Sequence, residues 1–122
     1  MVARIRARPP KGQSMPKYLI QGSYTPEGLK GLVKDTASGR KAAVQTAMKS
    51  LKGKVESLHF ALGSDDVVVI VDAPDNIAIA ALSLSVGQTG LIKGRTTPLL
   101  TVEEADQAMT MSAKYRAPGQ EK

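Results

Sequence analysis

Cysteine and tryptophan are absent from the 122 residues, phenylalanine and histidine occur once each, and tyrosine three times. Without cysteine there are no disulfide staples, no thiolate metal sites and no cysteine nucleophile, so stability must come from packing. With one histidine and no thiolate, a strong transition-metal site is disfavoured, and no metal or cofactor is expected. An aromatic content of 3% gives base stacking little support. No apolar run approaches the ~18 residues of a membrane span, and the first residues lack the apolar core of a secretory signal. The expectation is a cytoplasmic protein that does not enter membranes. The phosphate-loop spacing GxxxxGK[ST], GxGxxG, GxSxG and HExxH are all missing.

What remains is 42% hydrophobic and 23% charged, the composition of one globular domain. The formal charge of +6 first suggests an anionic partner, but its distribution argues otherwise. Residues 1–14 carry Arg4, Arg6, Arg8 and Lys11 with no acid, a net +4. Residues 114–122 carry Lys114, Arg116 and Lys122 against Glu121, a net +2, and the remaining 15–113 hold ten basic and ten acidic residues. The domain, 15–113, is electrically balanced, and the basic character belongs to two ends read as disordered tails. Nucleic-acid binding is therefore ranked last. Met15, directly before the first strand-like run, is an alternative start, which would make 1–14 a start-site extension.

Lys17 to Tyr24 reads as a strand, and Thr25-Pro26 supplies an N-cap followed by a proline suited to the first helical turn. Leu29, Leu32, Val33, Thr36, Arg40, Val44, Ala47, Met48 and Leu51 recur at three- and four-residue intervals, predicting a helix broken near Ser38-Gly39 and closed by Gly53. Val55 to Leu62 alternates, with Glu56, Leu58, Phe60 and Leu62 on one side and Val55, Ser57, His59 and Ala61 on the other; Leu58, Phe60 and Leu62 should meet the helices. Gly63-Ser64-Asp65 reads as a turn. The β-branched run Val67 to Val71 then reads as a strand buried on both faces. Asp72-Ala73-Pro74-Asp75 then supplies turn and capping residues for a helix from Asn76 to about Val86, and a strand from Leu91 to Thr97, with Lys93, Arg95 and Thr97 on one face, follows. Thr101 and Glu104 form a capping box for a last helix that fades after Met111.

The order is βαββαβ with an added C-terminal helix: an α+β, ferredoxin-like antiparallel sheet backed by helices. A central strand that does not alternate implies that something covers the second sheet face. Sheet-to-sheet pairing of two subunits, a dimeric α+β barrel, would provide that cover.

Met15 to about Ala108 resembles the GYD-domain family of small bacterial proteins. The resembling segments are MPKYLIQGSYTPEGLKGL (Met15–Leu32), KVESLHFALGSDDVVVIVDAPDN (Lys54–Asn76) and RTTPLLTVEE (Arg95–Glu104). The tripeptide that names the family corresponds to Gly63-Ser64-Asp65, where Ser64 replaces the tyrosine, so a role tied to that ring is not carried over. The resemblance implies a ferredoxin-like fold, supports Met15 as the natural beginning of the domain, and brings no reaction with it.

Four residues are candidates for chemistry. His59 falls on the sheet face away from Leu58 and Phe60, as a general base or as interface packing. Asp65, with Asp66, caps the turn or orients His59 from the rim of the same face. Arg40 sits on the apolar side of the long helix, snorkelling or gripping a carboxylate or phosphate. Arg95, beside Lys93, is a second hint of an anionic ligand. Tyr18 and Tyr24 share a face with Ile20 and read as packing. Two functions compete. The first is a homo-oligomer binding a small, anionic organic molecule on the open sheet face, any catalysis being metal-free acid–base chemistry. The second is a noncatalytic assembly or regulatory module whose sheet face is a protein interface.

Overall fold

A computed structural model describes residues 15–121; the basic segment 1–14 lies outside the described residues. The elements are β1 (Lys17–Tyr24), α1 (Pro26–Ser50), β2 (Lys54–Phe60), β3 (Val67–Asp72), α2 (Asn76–Gly87), β4 (Ile92–Leu99) and α3 (Val102–Met109). The four strands form one antiparallel sheet in the order β2-β3-β1-β4, the α+β arrangement expected from the element order.

Local signals start the helices as anticipated. The Thr25 side chain accepts the Gly28 N–H at 3.1 Å, with Pro26 in the first turn. Asp75 caps α2 through the Ala78 N–H at 2.9 Å, and both bonds of the Thr101/Glu104 capping box are present. Each such cap is worth about 1 kcal/mol.

One sheet face packs against α1 and α2. Tyr18, Val67, Val69 and Val71 meet Met48 of α1 and Ile79 and Leu82 of α2, all buried, with Ile20, Tyr24, Val44, Leu51, Val55 and Leu58 around them. Met48 and Val71 are fully buried, and a side chain of that size stabilises by about 1.5–3 kcal/mol on burial.

Several expectations are corrected. The break expected near Ser38-Gly39 in α1 falls at Thr36 (φ 72°, ψ 163°). Thr36 ends the first half and caps the second, its hydroxyl accepting the Gly39 N–H at 3.2 Å. At the end of α1 the left-handed residue is Lys52 (φ 64°), not Gly53. Gly53 is needed for room: a Cβ there would lie 2.3 Å from the Asp72 carbonyl oxygen. β2 contains a bulge between Val55 and Ser57, which brings Val55 to the helix side opposite Val71 and sends Glu56 to the other, because an extra residue resets the alternation. Leu62 lies beyond the strand, fully exposed, since the Ala61 N–H to Asp66 carbonyl bond closes the hairpin just before it. β3 is not buried on both faces within one chain. Val67, Val69 and Val71 are buried, whereas Val68 and Ile70 on the opposite face are only partly shielded. β4 extends to Leu99, including Pro98, which an edge strand tolerates.

Candidate functional site

The sheet face away from the helices is built from rows that the strand register sets. His59 pairs with Val68, Val68 with Gln21, and Gln21 with Arg95, so these four residues cross all strands in one line. The next row is Ser57, Ile70, Leu19 and Thr97. Side chains on alternate residues share a face, so His59 and Arg95 share it as the alternation predicts. At about 4.8 Å per strand spacing they stand roughly 14 Å apart. They bracket an apolar centre of Leu19, Val68 and Ile70, each half-buried although no helix covers it.

Asp65 reaches this face from the β2–β3 turn. Its carboxylate accepts the Arg95 Nη2 at 2.8 Å and, at longer range, the Ser23 hydroxyl at 3.4 Å and the Gln21 amide at 3.5 Å. Ser23 also donates to the Ser64 carbonyl at 3.0 Å, and the Asp66 carboxylate accepts the Tyr24 N–H at 2.8 Å. The two adjacent aspartates therefore tie the turn to β1 and β4. Asp65 meets Arg95 rather than His59. Arg95 retains 65% of its side-chain exposure while Asp65 retains 19%, so a guanidinium edge still faces solvent although its charge is compensated.

His59 is exposed on this face. Arg40 is elsewhere: it lies on α1, on the helix side of the sheet, and pairs with Asp35 across the Thr36 kink at 3.3 Å. It does not join the other three. Lys93, on the open face opposite Ser23, has no carboxylate within 4.0 Å among the described residues.

The other end of the face holds a cluster that sequence reasoning missed. Lys17 donates to Asp72 at 2.8 Å and to Glu56, while Lys54 stands 4.0 Å from Asp72, whose side chain is only 3% exposed. The hydrogen bonds to Asp72 and then to Glu56 hold the Lys17 ammonium above its ordinary pKa of 10.5. Only the bulge puts Glu56 within reach, and bulges leave no clear pattern in a single sequence. On the helix side, the Tyr18 hydroxyl donates to Asn76 Oδ1 at 2.6 Å. Burial first, and the Asp75 charge second, push this phenol above its ordinary 10.0.

Among the described residues no three His, Cys, Asp or Glu side chains gather where they would hold a metal ion, and no helix is long and apolar enough to cross a membrane. Chemically, the open face offers an apolar floor, one imidazole at its β2 edge, hydroxyl and amide groups between, and cations along β4.

A family model described as the GYD domain matches residues 18–109, from β1 through α3. No curated protein and no solved structure matches the chain.

Proposed function

The chain belongs to the GYD domain family, and from its open sheet face we propose that it binds a small organic molecule in a space enclosed when a second copy closes sheet to sheet over that face. The observation that carries this reading is the uncovered apolar trio Leu19, Val68 and Ile70, set in one face between His59 and Arg95. An apolar patch rimmed by polar groups marks a binding surface, and two such faces would form an α+β barrel with both floors toward the cavity. The apolar body of the ligand lies on the trio and its polar end meets the His59 or β4 side. Because Asp65 compensates Arg95, an anionic group is gripped by Lys93 and His59 more than by Arg95. Any catalysis would be acid–base chemistry at His59.

The partly shielded state of the trio also favours a second reading, in which the face is a protein interface and His59 packs within it.

Native mass spectrometry of untagged protein, compared with the denatured subunit, tests both. A dimer or larger assembly carrying extra mass supports ligand binding. A clean assembly leaves the interface reading ahead, and a monomer overturns both. His59→Ala then separates them: loss of the retained mass from an intact assembly favours a ligand site, and dissociation favours packing.

A further inference from the structure

α3 is a well-started helix with little to pack on, only Ala105 being partly shielded by the chain. Its capping box is complete, yet none of its residues is buried, and its contacts with the other elements are at most marginal. An isolated helix of eight residues is far below the ~12–15 needed for stability in water. Around it, Val102 and Met109 are 74% and 79% exposed. Helical spacing puts Val102, Ala105 and Met109 on one stripe, with Glu103 and Asp106 along one flank. Residues 102–109 contain three acids and no base.

The first half of α1, residues 26–35, holds Lys30 and Lys34 against Glu27 and Asp35. Leu29 and Val33 are 46% and 79% exposed and, four residues apart, form an outward stripe. Lys30 and Lys34 run along one flank of it. No partner of opposite charge lies within 4.0 Å of Glu103, Asp106, Lys30 or Lys34 among the described residues. One helix is thus apolar with an acidic flank, and the other apolar with a flank where Lys30 and Lys34 outnumber Glu27.

The chain does not join these surfaces itself. α3 follows Leu99, which pairs with Lys17 at one end of the sheet, whereas α1 follows Tyr24, which pairs with Ile92 at the other. Leu29, Val33, Val102 and Met109 all remain exposed in the chain, and α1 and α3 make at most marginal contact.

We propose that α3 docks through Val102, Ala105 and Met109 onto Leu29 and Val33 of a second copy of this chain, with Glu103 and Asp106 facing Lys30 and Lys34. A two-fold pair makes this contact twice, once from each copy, which is the closed form of an interface between two different patches. The apolar stripes supply the affinity, and the charges supply register and specificity.

Two full-length variants test the contact, Glu103→Lys/Asp106→Lys and Lys30→Glu/Lys34→Glu, each first shown to be folded by circular dichroism. Sedimentation velocity at low salt should show wild-type dimers, and each variant alone should dimerise at least about tenfold more weakly, since like charges then face each other. Mixed in equal amounts, the two variants should recover association as a heterodimer, because both contacts are again between opposite charges. A packing of α3 on its own chain, or an association made only through the sheet faces, gives no such recovery. Unchanged association of either variant, a mixture no better than its components, or a monomeric wild type would overturn the proposal.

Discussion

Replacing Thr36 by glycine should stabilise the protein, although it removes a helix cap. Thr36 holds φ 72° and ψ 163°, a region open essentially to glycine alone, and a β-branched residue there carries strain of about 1–3 kcal/mol. Glycine relieves it. Against this, glycine adds about 0.4–1 kcal/mol of unfolded-state entropy, and exchanging a Thr cap for a Gly cap loses only a few tenths of a kcal/mol. The Thr36 side chain is exposed, so its removal sacrifices no packing. The balance is a gain of about 1 kcal/mol, or a few degrees in melting temperature for a chain of this size. Thr36→Ala is the control: it loses the hydroxyl that accepts the Gly39 N–H and keeps the strain, so it should destabilise by about 0.5–2 kcal/mol. Thermal and urea unfolding of the two variants beside wild type give opposite signs if strain dominates. A glycine variant no more stable than the alanine variant would refute the reasoning.

Met48→Ala, at a fully buried position, should cost about 2–5 kcal/mol in urea unfolding because the site between α1 and the sheet collapses only partly. Gly53→Ala should destabilise by about 1–3 kcal/mol, since the added methyl meets a backbone oxygen at 2.3 Å; an unchanged denaturation midpoint would contradict the close approach. In alkali, both raised pKa values act in the same direction. Lys17 and Tyr18 each contribute stability that is complete below their ordinary values of 10.5 and 10.0 and is lost as pH rises through their higher folded values. Stability measured from about pH 8 to 11.5 should therefore fall at the upper end, and fall less in Lys17→Met or Tyr18→Phe than in wild type.

The features legible in the sequence are those decided within a few residues. The Thr25-Pro26 start, the Asp75 cap and the Thr101/Glu104 box each join residues three positions apart, and β4 alternates cleanly enough to put Lys93, Arg95 and Thr97 on one face. Features that depend on a partner across the sheet were hidden. The Asp65–Arg95 pair is separated by 30 residues and the Lys17–Asp72 pair by 55, so only the register reveals them. Arg40 shows a related limit: helical spacing assigns it to an apolar stripe, and only the structure shows its guanidinium meeting Asp35 across the kink at Thr36. The β2 bulge exchanged the faces of Val55 and Glu56, and so added Glu56 to the Lys17–Asp72 pair.

These pairings change what the open face selects. Of the cations that suggested an anionic ligand, Arg95 is answered by Asp65 and Arg40 by Asp35, which leaves Lys93; at the other end of the face Lys17 is answered by Asp72 and Glu56. The exposed pairs of Arg95 and Glu56 contribute little net energy, whereas Asp72, 3% exposed, depends on its lysines; together they hold the turn and the strand ends while leaving the middle row of Ser57, Ile70, Leu19 and Thr97 nearly neutral. Apolar area is then the main source of affinity for whatever covers that row, at about 25 cal/mol per Å² removed from water. Association driven in this way should weaken little with salt. The α3–α1 contact, with acids facing lysines, should weaken as salt screens it. A salt titration of the dimer therefore tells which of the two surfaces dominates its assembly.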